Sequence, residues 1–263
     1  MELEPHHRRA IDRLAQAYRD DPRFDALIIG GSVAKGCARP DSDVDFLIVA
    51  TDEEFMRRQA DKDLFINRTD LCDYNGGYVD GKIINRAFLQ ALAEKGNEPS
   101  RAAFEGAFTA YSHIPDLGTL LNSIPVYPEQ DRERRIKAFY SMAFNQRWLI
   151  QEALRHDNKY TITRAASQLA LYSGRLILAY NRKLYPYHKW LTHALASVAE
   201  KPAGLLSQID ALLTNPGAEN ADALFQSVKG FKDWGVSDIE CYTWFMTEVE
   251  WSWMQDQTPI EDW

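Results

Sequence analysis

The chain has 263 residues, long for one domain and comfortable for two of about 100–150 residues each. Apolar residues make up 45% and charged residues 26%, ordinary values for a globular protein with a real core. Acids outnumber bases 38 to 30, a formal charge of −8, which disfavours an extended nucleic-acid partner and leaves room only for a local basic pocket. Cys37, Cys72 and Cys241 are too few and too scattered for a disulfide framework or a Cys-rich zinc site. No apolar run approaches the roughly 18 residues of a membrane span, and the N-terminus is polar rather than a signal peptide. The expected location is the cytoplasm, with no membrane partner.

Residues 5–19 read as an amphipathic helix with Ile11, Leu14, Ala15 and Tyr18 on one face. The run Ala26-Leu27-Ile28-Ile29, stopped by Gly30-Gly31, reads as a buried strand ending in a tight turn. A second strand is expected over 44–49, a polar helix over 52–62, a third strand over 78–84 after Asn75-Gly76-Gly77, a helix over 86–95 and a further strand over 107–113. From about 131 the texture turns helical. Ile136, Tyr140 and Ala143 begin one stripe, and Ile162, Ala165, Ala166, Leu169, Tyr172 and Leu176 form another. Further helices are expected near 188–199, 203–213, 220–229 and 237–255, the last with Tyr242, Phe245, Val249 and Trp253 as a core stripe. The fold class is α+β: a small mixed-sheet domain over 1–128, then an all-helical bundle over 129–263.

The chemistry is concentrated in Gly30-Gly31-Ser32 and in Asp41-Ser42-Asp43-Val44-Asp45. Glycine lets the backbone approach an anion closely, helix N-terminal amides attract phosphate, and Ser32 adds a hydroxyl donor. Asp43 and Asp45, two apart on an expected strand, leave the same face. Two carboxylates on one rigid face suit Mg²⁺, which binds one or two of them together with substrate phosphates. No His/Cys spacing supports zinc, and His113, His156 and His193 are isolated.

A hydrophobic strand, Gly31-Ser32, ten residues, then Asp43-Val44-Asp45 in a second strand resembles the nucleotidyltransferase superfamily of DNA polymerase beta. The resemblance implies transfer of a nucleoside monophosphate from an NTP with two Mg²⁺ ions. It implies Asp43 and Asp45 as catalytic metal ligands, and Gly31, Ser32 and Ser42 as nucleotide-binding residues. It also requires a third carboxylate on a later strand. Asp80 in Gly77-Tyr78-Val79-Asp80-Gly81 is the favoured candidate, as metal ligand and proton acceptor, and Asp73 is its rival.

A short catalytic domain followed by a helical one is similar to the aminoglycoside and lincosamide antibiotic nucleotidyltransferases, in which the small substrate sits between the domains. That likeness implies a helical domain that clamps nucleotide or substrate, with cations reaching the triphosphate. Lys189 and Arg175 or Arg182 are the candidates here, while Lys35 and Lys82 fit solvated faces as well as they fit phosphate. The expected partners are ATP or another NTP and a small-molecule hydroxyl acceptor, on a monomer or homodimer. Two alternatives stay open. One is a protein- or tRNA-modifying nucleotidyltransferase of toxin–antitoxin type, for which Arg182 and His188 are similar to the R-x4–6-H motif of HEPN ribonucleases, although Pro186 interrupts the helix on which that motif lies. The other is a silent nucleotide-binding module.

Overall fold

The structure, a computed structural model, describes residues 3–255. Its backbone contacts divide the chain into one unit ending at Val126 and a second beginning at Tyr127.

The first unit begins with α1 (Pro5–Tyr18), β1 (Phe24–Ile29), the single turn α2 (Gly31–Ala34), β2 (Val44–Ala50), α3 (Asp52–Ala60), β3 (Phe65–Arg68) and β4 (Val79–Asn85). It continues through α4 (Arg86–Lys95), α5 (Glu98–Ala102), β5 (Phe108–Ser112) and α6 (Leu117–Ser123). The strands form one mixed sheet in the order β3-β4-β2-β1-β5. Only β2 and β4 run parallel, with α3 and β3 in the crossover between them. Thr51 and Asn85 cap α3 and α4 by accepting hydrogen bonds from the Glu54 and Phe88 amides, which fixes where each helix leaves its strand.

Side-chain alternation assigns each strand residue to a face. Leu27, Ile29, Val44, Phe46, Ile48, Val79 and Ile83 pack against Ala10, Ile11, Leu14 and Ala15 of α1. Ala26, Ile28, Val49 and Ile84 form the opposite core with Leu89, Leu92, Leu117 and Leu121 of α4 and α6. Asp45 and Asp80 belong by alternation to this second face, toward the end of the strands where Val44 and Val79 begin them.

The second unit is helical: α7 (Arg132–Arg155), α8 (Lys159–Tyr180), α9 (Leu191–Ser197), α10 (Leu205–Thr214), α11 (Ala218–Phe231) and α12 (Asp238–Phe245), with short 3₁₀ turns at Glu129–Asp131 and His188–Trp190. Tyr140, Ala143, Ile150, Ala165, Leu169, Leu176, Ile209, Leu212, Leu224, Phe225 and Val228 make its core. No helix of the described residues is long and apolar enough to cross a membrane.

Several expectations need correction. The strand β3 and the helices α5 and α6 are additional to the sequence reading, being too short to show a period. Asp43 stands one residue before β2 instead of on it. The helix expected over 237–255 ends at Phe245, continues as a π turn at Met246–Glu250 and closes as a 3₁₀ turn at Ser252–Gln255. The Trp251 amide bonds back to the Met246 carbonyl, and that wider turn rotates the following residues out of the 3.6-residue phase. The aromatic stripe is not core: Tyr242 is 41% exposed already within α12, before the turn, and Trp253 beyond it is 62% exposed.

Candidate active site

At the end of β1 the chain turns through Gly30, whose amide donates to the Asp45 carbonyl at 3.0 Å, and Gly31, which adopts φ +63°. A Cβ on Gly31 would lie 1.8 Å from Asp45 Oδ2, so no other residue fits without displacing that carboxylate. The glycine thus sets both the turn and the closeness of Asp45 to it. Ser32, half-buried, follows in the one-turn α2, and its carbonyl accepts from the Cys37 amide at 3.0 Å.

The parallel pairing of β2 and β4 places Asp45 directly opposite Asp80. One step along, Phe46 faces Gly81, where a Cβ would sit 2.6 Å from the Phe46 ring. This close packing between the strands holds the two carboxylates in register. Burial, and after it the negative charge of Asp43, pushes the Asp80 carboxyl above its ordinary value. The Asp43 carboxylate beside it is the main reason the Tyr78 phenol is harder to ionise than usual.

The rival carboxylate is engaged elsewhere. Asp73 lies between Arg9 Nε at 2.8 Å and Arg13 Nη2 at 3.0 Å, both on α1. Hydrogen bonding to Arg9 holds its carboxyl down at about 2. Ser42 is half-buried, and its hydroxyl accepts from the Arg39 amide at 2.9 Å, closing the turn that leads into Asp43. Lys35 faces Glu105 at 3.8 Å, and Lys82 is exposed beside Asp80, whose ionised form it favours.

The candidate cations of the helical unit occupy different settings. Arg175 is stacked between the rings of Phe139 at 4.3 Å and Tyr185 at 4.6 Å. Arg182 pairs with Glu129 at 2.9 Å and sits in a left-handed turn, off any helix. His188 shares a hydrogen bond with the Tyr185 hydroxyl at 2.8 Å in the 3₁₀ turn, so no helix carries Arg182 and His188 together. Lys189 is exposed, with its ammonium 5.7 Å from the Trp190 ring.

Residues 11–74 match the family model described as a nucleotidyltransferase domain. The chain carries a nucleotidyltransferase domain of the DNA polymerase beta superfamily. The match covers the nucleotidyltransferase motif from the first strand through Gly31, Ser32, Asp43 and Asp45, and stops short of Asp80. A solved nucleotidyltransferase-like protein from Exiguobacterium sibiricum aligns over 92% of this chain and 79% of its own, at 10% identity and a TM-score of 0.49. No curated protein sequence matches the chain. The family match, rather than that distant likeness, carries the assignment.

Among the described residues no three His, Cys, Asp or Glu side chains converge into a closed metal cage. Carboxylates brought together at strand ends, with Asp80 resisting ionisation beside Asp43, form an open anionic site instead. That chemistry fits Mg²⁺, which keeps water and substrate phosphate among its ligands. Sequence reasoning did not find Tyr78, His7 or Tyr74 at this site. Tyr78 had a readable signal, since it precedes Asp80 by two and shares its face under strand alternation.

Proposed function

We propose that this nucleotidyltransferase moves a nucleoside monophosphate, AMP from ATP, onto a hydroxyl of a small molecule of the kind represented by antibiotics. The reading is carried by one observation: Asp45 and Asp80 are paired in register on parallel strands, with Gly31 held open against Asp45. Asp43 and Asp45 hold Mg²⁺, with Asp80 as the third carboxylate. Gly31 and the Ser32 hydroxyl face the triphosphate. The acceptor oxygen bonds to the α-phosphorus, the bond to the bridging oxygen breaks, and pyrophosphate leaves with the electron pair. Asp80 accepts the acceptor's proton, a task suited to a carboxylate whose basicity is raised. Bound Mg²⁺ supplies neutralisation of phosphate charge and acidification of the acceptor hydroxyl. A net charge of −8 supports a small acceptor over a polynucleotide.

The experiment is transfer from labelled NTPs to a panel of small hydroxyl acceptors with Mg²⁺, by the wild type and Asp45→Asn. Transfer is expected to vanish in the variant while its thermal midpoint holds or rises, because a repelling charge is gone. Substantial transfer by Asp45→Asn overturns the assignment. The panel also reports which base the donor carries.

A further inference from the structure

The loop that delivers Asp43 to the start of the central strand β2 is gripped from two directions by residues far away in sequence. From α1, His7 Nε2 donates to the Ser42 carbonyl at 3.0 Å. From the loop before β4, the Tyr74 hydroxyl donates to the same carbonyl at 2.7 Å. A carbonyl has two lone pairs, and both are spent here, which fixes the peptide plane entering Asp43. At the other side of that residue, the Val44 amide donates to the Tyr78 carbonyl at 3.1 Å.

The grip is itself supported. His7 is 1% exposed, and burial lowers its pKa, so the ring stays neutral with its proton on Nε2. Its ring meets Tyr74 edge-on at 5.4 Å, and the neighbouring His6 ring lies 4.5 Å from Tyr74 while its Nε2 bonds the Pro40 carbonyl at 2.9 Å. Gly77 is required beneath the phenol, because a Cβ there would come 2.6 Å from the Tyr74 ring. Arg9 and Arg13 tie Asp73, next to Tyr74, back to α1.

A buried histidine and a tyrosine sharing one carbonyl is an elaborate arrangement for a loop that has only to connect α2 to β2. Its geometry acts on the residue that the proposed function needs most sharply oriented. We infer that His7 and Tyr74 are positioning residues for divalent-cation binding, presenting the Asp43 carboxylate by fixing its preceding peptide. The inference rests on the reading of Asp43 as a metal ligand. Partners that orient a ligating group typically cost 10–100-fold in metal affinity or activity when removed.

The test is Mn²⁺ binding, followed by electron paramagnetic resonance, with a non-hydrolysable ATP analogue present. Tyr74→Phe, which keeps the ring and loses the donor, is expected to weaken Mn²⁺ binding by about tenfold or more with at most a small fall in its thermal midpoint. His7→Leu should weaken it similarly. His7→Gln, whose amide N–H can occupy the place of Nε2–H, should recover most of the loss, a rescue that a purely packing role for His7 would not produce. Wild-type Mn²⁺ affinity in Tyr74→Phe, or a His7→Gln protein as weak as His7→Leu, overturns the positioning role. Asp43→Asn separates the two layers of the argument. Undiminished Mn²⁺ binding in that variant sinks the functional reading itself, whereas loss there with none in Tyr74→Phe sinks only the positioning role.

Discussion

At the strand ends of the first unit's sheet three carboxylates are gathered, with the exposed Lys82 beside Asp80. Asp80 is half-buried opposite Asp45 and feels the charge of Asp43, and Gly31 leaves Asp45 no room to retreat. In the helical unit the charged groups are dispersed and answered: Arg175 by two aromatic rings, Arg182 by Glu129, and Arg132 by the carbonyls of Ala179 and Tyr180. Gathered like charge destabilises a fold and persists where a ligand relieves it, whereas answered charge belongs to the architecture. Charge in this chain therefore takes its meaning from its neighbours and not from residue type.

The contrast can be broken most severely at Gly31. Gly31→Val forces a β-branched residue into positive φ and drives its Cβ into the Asp45 carboxylate. NTP binding, read as nucleotide-dependent thermal stabilisation in Mg²⁺, should disappear, and the midpoint of the free protein should fall. Unchanged NTP affinity would remove the phosphate cradle from the account.

Asp80 and Asp73 sharpen it next. Asp80→Asn should lower kcat by about 10²–10⁴, the range for loss of a general base, with NTP binding retained within a few-fold. Because the folded pKa of Asp80 is raised, its ionisation weakens the folded state once the pH exceeds the unfolded value, 3.8. Asp80→Asn should accordingly be as stable as the wild type or more so at pH 7, an advantage that fades as the pH falls through the raised folded value and is gone by about 3.8. Asp73→Asn should behave oppositely, with near-normal kcat and a lower midpoint at pH 7. The Asp73 contribution is present above 3.8 and is lost as the pH falls toward about 2, so the gap between wild type and variant should close over that interval. Parallel assays of the two proteins decide which carboxylate serves the reaction.

Smaller effects probe single contacts. Ser32→Ala should weaken NTP binding by about 1–2 kcal/mol, the value of one hydrogen bond to a charged group, measured calorimetrically. Arg175→Lys keeps the charge but loses the planar stack between Phe139 and Tyr185, and should cost about 0.5–2 kcal/mol of stability in denaturant unfolding with NTP affinity unchanged. A marked loss of NTP affinity in that variant would return Arg175 to the phosphate-binding role its sequence context suggested.

Much of this was legible in residue order. The apolar run into Gly30-Gly31 and the spacing of Asp43 and Asp45 located the turn, two central strands and the acidic edge, because local sterics and strand alternation dictate them. The helical stripes of 162–176 appeared as the buried face of α8 for the same reason. The stripe expected over 237–255 misled: Tyr242 is exposed already on α12, and the π turn after Phe245 takes the later residues out of the 3.6-residue phase without any mark in the composition. His7 carried no signal at all, being one of two adjacent histidines on an amphipathic helix.

What the sequence determined by itself was local: where the chain turns, which residues alternate onto one face, and which few side chains have the chemistry for metal and phosphate. Those depend on neighbours within a few positions, where the backbone's geometry leaves little choice. What only the tertiary structure decided was which distant groups meet. The parallel register sets Asp80 opposite Asp45, α1 claims Asp73 with Arg9 and Arg13, and the same helix lends His7 to the carbonyl before Asp43. Such pairings follow from how strands and helices are stacked to bury their apolar faces, a global balance that no short stretch of residues encodes.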